Sequence, residues 1–279
     1  MNFVRENVKL RTVLLASALL NAQSSTKRPE FEVASIKPNN SDSGNSSIGS
    51  QGPGRFDAKN VAIRTFIAQA YDVRAFEIYG APGWLTSEKY DITAKSEEPV
   101  AKVSSEEAWS DMKEKVKALL EDRCALKVHR ETKELPVYIL TVAKSGVKLK
   151  TSDCVVFDIN NRPAPPAPGE PRPKFCGNLG VRGDGANSSL TATGIPMSSL
   201  VRWLSGTTGR AVIDKTGYAD KFDAAMKWAP DDSSKTASAD PVGPSIFTAL
   251  QEQLGLKLES GKGPVAVLVI DHVEKPSAN

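Results

Sequence analysis

SIFTALQEQLGLKLESGKGPVAVLVIDH, residues Ser245–His272, is the stretch whose reading decides the fold of this chain. Ile246, Ala249, Leu250 and Leu254 fall at i, i+3, i+4 and i+8, which places them on one face of an α-helix. Pro244 and Ser245 suit the first positions of that helix. Gly255 supplies the left-handed residue that ends it. Leu256 and Leu258 then alternate with Lys257 and Glu259, the pattern of a half-buried strand. Gly261 and Gly263 predict a tight connection. The run Val265–Ile270 is apolar and rich in β-branched residues, as a central strand requires. The expectation is a helix, a glycine stop and a two-stranded hairpin.

The same pattern occurs upstream. Residues Met112–Val142 read MKEKVKALLEDRCALKVHRETKELPVYILTV. Val116 corresponds to Ile246, Leu120 to Leu250, Leu126-Lys127-Val128 to Leu256-Lys257-Leu258, and Pro136-Val137 to Pro264-Val265. Earlier elements repeat as well. Ile63, Phe66, Ile67 and Ala70 have the spacing of Met197, Leu200, Val201 and Leu204, and Lys89-Tyr90-Asp91 corresponds to Lys221-Phe222-Asp223. Strands are expected at Phe31–Ile36, Phe56–Val61, Phe76–Tyr79 and Tyr90–Ala94, and again at Leu190–Thr193 and Ala211–Ile213. The fold class expected is α+β: two similar β-α-β-β-α-β-β units, each a small mixed or antiparallel sheet packed with two helices. Each unit would bury one core, with each buried Leu or Ile stabilising by ~1.5–3 kcal/mol. The units are placed at residues 31–143 and 188–275. Residues 144–187 read as linker, with six prolines in the twelve positions Arg162–Pro173. Residues 39–54 and 230–243 read as polar loops.

Of 279 residues, 40% are hydrophobic and 25% charged, ordinary values for a chain that builds packed cores. The formal net charge is +3. Arg5, Lys9 and Arg11 against Glu6 place two of those charges in residues 1–22, so the remainder is near neutral. Composition therefore gives no argument for nucleic acid or an anionic membrane. Residues 1–22 have a basic start, a short apolar core (Val13–Leu20) and a small residue, Ala22, at their end. They read as a secretory signal peptide, too short to span a bilayer, and no other stretch is long enough. Export permits a disulfide. Cys154 and Cys176 bracket the proline-rich loop and are the expected pair, stabilising by roughly 3 kcal/mol through loop closure. Cys124 takes the place of Leu254 in the repeat and reads as a buried small hydrophobe.

The catalytic inventory is thin. Lys127, His129 and Glu131 are expected on the polar face of one strand, where His129 beside Glu131 could serve as a general base. An exposed strand histidine is the plainer reading. His272 ends the last strand. There is no HExxH, CxxC or GxSxG, so neither a metal nor a cofactor is expected. Asp214-Lys215-Thr216-Gly217 reads as a turn. Trp84, Trp203 and Trp228 are candidates for a ligand groove, with packing inside and between the units the alternative.

Two resemblances rest on particular residues. Phe31–Pro38 (FEVASIKP), Phe76–Leu85 (FEIYGAPGWL), His129–Tyr138 (HRETKELPVY), Val212–Gly217 (VIDKTG) and Gly255–Lys275 (GLKLESGKGPVAVLVIDHVEK) resemble a paralogous exported family of unknown function expanded in acidobacteria and other soil bacteria. In some members of that family the domain is joined to a membrane metallopeptidase of the β-lactam-sensor type. Cys124 stands where the family usually has an aromatic. The element order of the second unit resembles the small N-terminal domain of secretins and of TonB-dependent signalling receptors, which contacts partner proteins. These resemblances imply a periplasmic or extracellular location and no assigned reaction. The expected function is a non-catalytic exported envelope module that binds a protein partner or a small ligand. The alternatives are an envelope hydrolase using carboxylates with His129, and a sensor of cell-wall stress.

Overall fold

In the computed structural model, the stretch from Ser245 to His272 begins as expected and then departs. The structure describes residues 28–41, 43–49, 54–96, 105–156, 166, 169–171, 173–183, 187–229 and 243–277. The signal segment 1–22, most of the proline-rich run and nearly all of the insert 230–243 lie outside these residues. Ser245 caps the helix, its hydroxyl accepting the Thr248 N–H at 3.2 Å. Ile246–Ala249 is α-helical, and Leu250–Leu254 continues it as a π turn that ends at Gly255, φ 67°. Ile246, Ala249, Leu250 and Leu254 are all buried. No hairpin follows. Leu256–His272 is one uninterrupted strand of 17 residues, and its upstream counterpart Lys127–Val142 is one strand of 16.

In chain order the first half runs β1 (Val33–Pro38), β2 (Ser47–Gly49), β3 (Arg55–Val61), α1 (Ile63–Ala70), β4 (Ile78–Tyr79), α2 (Trp84–Ser87), β5 (Tyr90–Lys95), α3 (Ser105–Cys124) and β6 (Lys127–Val142). The second half runs β7 (Lys150–Thr151), β8 (Asn178–Gly183), β9 (Ser188–Ile195), α4 (Met197–Thr208), β10 (Val212–Asp214), β11 (Phe222–Trp228), α5 (Ile246–Ala249) and β12 (Leu256–His272). The class is α+β. One antiparallel sheet has the order β1-β5-β3-β2, another β7-β11-β9-β8, and a third β10-β6-β12-β4.

The third sheet joins the halves. β6 and β12 pair antiparallel from Leu256↔Val142 to Ile270↔Val128 without a slip. Leu135 and Gly263, which precede the matching Pro136-Val137 and Pro264-Val265, are equivalent in the repeat and face each other in this register. A pseudo-two-fold axis through that pair relates β6 to β12. β4 pairs parallel with β12, and β10 parallel with β6, at equivalent places.

Each core consequently holds a strand end from the other half. The first contains Ile63, Phe66, Ile67, Ile92 and Leu120 together with Leu268 and Ile270 of β12. The second contains Leu190, Leu200, Leu204, Phe222 and Leu250 together with Leu140 of β6. The expected turn at Gly261 and Gly263 is absent for a packing reason. A Cβ on Gly261 would meet Ile139 Cδ1 at 2.8 Å, and one on Gly263 would meet Ile213 Cδ1 at 2.6 Å. These glycines make room on the sheet face, and that room lets the strand run on.

Smaller differences concern edges. The loop 39–54 contains β2, paired with β3. Residues 144–187 contribute β7 and β8 to the sheet of the second half. Phe76-Glu77 is a 3-10 turn, and only Ile78-Tyr79 is strand. Cys154 and Cys176 are bridged, with Cα atoms 5.1 Å apart. Cys124 is fully buried, and burial pushes its thiol up to about 12.

Candidate functional site

The halves meet on one side of the central sheet, and a cleft of about 320 Å³ lies between them. Its first wall follows α1. Burying Ile63, Phe66, Ile67 and Ala70 ties that helix to the core. The chain then turns at Asp72, φ 55°, with Val73 N–H donating back to Ala68 O at 2.9 Å. Arg74 opens the 3-10 turn, and its N–H donates to Glu77 Oε2 at 2.7 Å. The second wall is α4, which buries Met197, Leu200 and Leu204 and presents Val201, Arg202 and Ser205 to the cleft. The floor is Pro264-Val265-Ala266 of β12, beside Ala211–Ile213.

Charge crosses the cleft. Arg202 Nη1 donates to Asp72 Oδ1, and Arg74 Nη2 donates to the carbonyl oxygen of Arg202. Burial pushes the Asp72 carboxyl up, but the Arg202 hydrogen bond and charge outweigh it and hold the group below its usual range. Burial lowers the Arg74 guanidinium, and the neighbouring Arg202 charge lowers it further. Arg74 also lies along Gly206, where a Cβ would stand 3.5 Å from Arg74 Nη1. Ser205 Oγ donates to Val201 O at 2.8 Å and accepts from Val212 N–H at 3.0 Å, so it fastens α4 to β10.

The residues expected from sequence lie elsewhere. His129 is on β6 at the far end of the central sheet. Its Nδ1 is 2.8 Å from Asp271 Oδ1 and its Nε2 is 3.0 Å from Glu131 Oε1. Glu131 also meets Lys133 Nζ at 3.2 Å, and Lys133 sits 4.8 Å from the Tyr79 ring centre. A neutral imidazole has one N–H, so engaging two carboxylates calls for the protonated ring. The Asp271 and Glu131 hydrogen bonds raise the His129 pKa above the usual 6.5, and the His129 hydrogen bond, with Lys133, lowers that of Glu131 below 4.5. An imidazolium lacks the lone pair of a general base. The arrangement is an exposed charge ladder along a strand.

The sign of its pH dependence follows. The raised His129 pKa contributes stability present below pH 6.5 and lost as pH rises through the folded value. The lowered Glu131 pKa contributes stability present above pH 4.5 and lost as pH falls through its folded value. In an NMR titration the His129 ring is expected to titrate above 6.5, and Asp271→Asn to bring it down. An Asp271→Asn ring that titrates with the parent's midpoint would refute the ladder.

His272 ends β12 and meets Glu274 at 2.9 Å. Trp84 packs against the first core, while Trp203 and Trp228 stack edge-on at 5.4 Å in the second. None of the three lines the cleft. Asp214 Oδ1 accepts the Thr216 N–H at 2.8 Å, the geometry of a turn. Among the described residues no group of three His, Cys, Asp or Glu is placed to hold a metal ion, and no helix is long and apolar enough to cross a membrane.

The family model described as "Protein of unknown function (DUF3738)" matches residues 64–273, which takes in both walls and the floor of the cleft. The chain belongs to the DUF3738 family. No curated protein and no solved structure matches it. In this DUF3738 chain, Asp72, Arg74 and Arg202 escaped the reading from sequence because that reading followed the repeat. Arg74 and Arg202 are not repeat equivalents, and 128 positions separate them. The available signal was Arg202 itself, a charge within the apolar run Leu200–Leu204.

Proposed function

We propose that this chain is a non-catalytic module, exported to the cell envelope, that binds a small ligand in the cleft between its two units. The units are residues 31–143 and 188–275, connected through 144–187. The cleft carries this reading. Its volume falls at the lower end of the range for small-molecule sites, and a few polar groups converge over an apolar floor. Export is supported by the signal-like residues 1–22 and by the disulfide in residues 144–187. The hydrolase reading has less behind it, because both His129 nitrogens face carboxylates.

Hydrogen exchange of the purified full chain, with and without a small-molecule fraction of bacterial envelope extract, tests the proposal. The expected result is slower exchange at residues 71–77 and 201–213. Protection confined to other segments, or none with any fraction, would defeat it. Turnover of a hydrolase substrate that is lost in His129→Ala would establish the alternative.

A further inference from the structure

We infer that the inter-unit cleft takes a small organic anion, a carboxylate with a short apolar tail, and that Arg74 is its anchor. The inference rests on the binding proposal above and adds the chemistry of the ligand. A guanidinium carries five N–H donors in a fixed fork. Arg74 spends one on the carbonyl oxygen of Arg202. Among the described residues its guanidinium has no ion-pair partner. Two carboxylates act on its charge from nearby, and both are hydrogen-bonded elsewhere, Asp72 to the Arg202 guanidinium and Glu77 to the Arg74 backbone N–H. Arg74 is thus a half-buried cation held beside a second one, with donors left over and a cavity in front of them.

A bidentate carboxylate matches that fork in shape and charge. It would also relieve the repulsion between Arg74 and Arg202. Asp72 and Glu77 line the cleft beside Arg74 and Arg202, so the formal charges of the lining balance and the anion is selected by the donors left on the Arg74 fork. Beyond the charged groups and Ser205 the cleft is aliphatic. Val201, Ala211, Ile213 and Val265 line it, so a tail of a few carbons loses water there. A bare inorganic anion would leave that surface uncovered.

Thermal unfolding of the purified full chain with three probes tests the inference. The probes are butyrate, its uncharged twin butyramide, and sulfate, each at up to tens of millimolar. Butyrate is expected to raise the unfolding temperature saturably, and to shift the amide resonances of residues 201–213. Butyramide should do neither. Arg74→Gln should weaken butyrate at least about tenfold, and Arg74→Lys, which keeps the charge and loses the fork, should fall between. Arg74→Lys carries the test if Arg74→Gln fails to unfold cooperatively in urea.

Equal shifts from butyrate and butyramide would overturn the inference. So would no shift from butyrate, equal butyrate affinity in parent and Arg74 variants, or sulfate acting as strongly as butyrate. The two proposals fail separately. Protection of the cleft by an envelope fraction in both parent and Arg74→Gln would remove the anion and leave the binding module standing.

Discussion

Gly255→Ala is expected to unfold at far lower urea than the parent, losing more than about 4 kcal/mol, while Gly209→Ala loses about 1–2 kcal/mol. The two glycines make a controlled pair. Both end helices in the left-handed region, Gly255 at φ 67° and Gly209 at φ 64°. Both therefore carry the conformational cost of a Cβ at positive φ. They differ in room. A Cβ on Gly209 meets nothing within 4 Å. A Cβ on Gly255 would overlap the carbonyl oxygen of Gly146 and stand 3.0 Å from the Lys148 N–H nitrogen. Both neighbours are backbone, and they are fixed in place. Lys148 N–H donates to Leu254 O, and Ala143 N–H to Gly255 O, each at 2.9 Å. The loop leaving β6 is thereby wrapped around the end of the last helix, so relief of the overlap requires breaking that wrap. Equal losses in the two variants would show that conformation alone sets the cost.

A chain ending at residue 187 is expected to show no cooperative unfolding transition and no near-UV circular dichroism of a packed core. It retains the first sheet, α1 and α3, and all of β6. It lacks β12, and with it Leu268 and Ile270, which are 1% and 7% exposed in the first core. Losing each such side chain costs ~2–5 kcal/mol when a cavity is left, against a typical total of ~5–15 kcal/mol. It also strips β6 of its partner along nearly its whole length. Supplying residues 188–279 as a separate chain should restore the transition. A sharp urea transition in the 1–187 fragment alone would refute the exchange of strands between cores. The single substitution Leu268→Ala in the full chain, read from its urea midpoint, gives the same contribution without removing a strand.

The sequence carried the local elements well because their signals are local. The 3.6-residue spacing of Ile63, Phe66, Ile67 and Ala70 is an α-helix with all four side chains buried. Gly255 ends its helix as a left-handed residue. Cys124, aligned with Leu254, is in the core. Long-range arrangement was harder to read. Gly261 and Gly263 are typical turn residues, and nothing near them in sequence tells that Ile139 and Ile213 fill the space above them. The repeat was visible, but a repeat is equally consistent with two closed units and with two units that trade strands. The cleft was hidden for the same reason. Asp72–Arg202 and Arg74–Arg202 are contacts across 130 and 128 positions, and neither residue type nor spacing announces such a pair. His129 and Glu131 were correctly placed side by side on one face, but Asp271, 142 positions away, decides the state of the ring.

The pairing of β6 with β12 also sets when the protein can fold. Leu268 and Ile270 close the first core, and they lie far beyond Leu126, the last of its other buried residues in chain order. The first half must therefore wait, its apolar faces uncovered, until β12 has been made. Contacts between residues so distant in sequence make folding slow. A chain held open in this way packs its first core only after β12 has arrived.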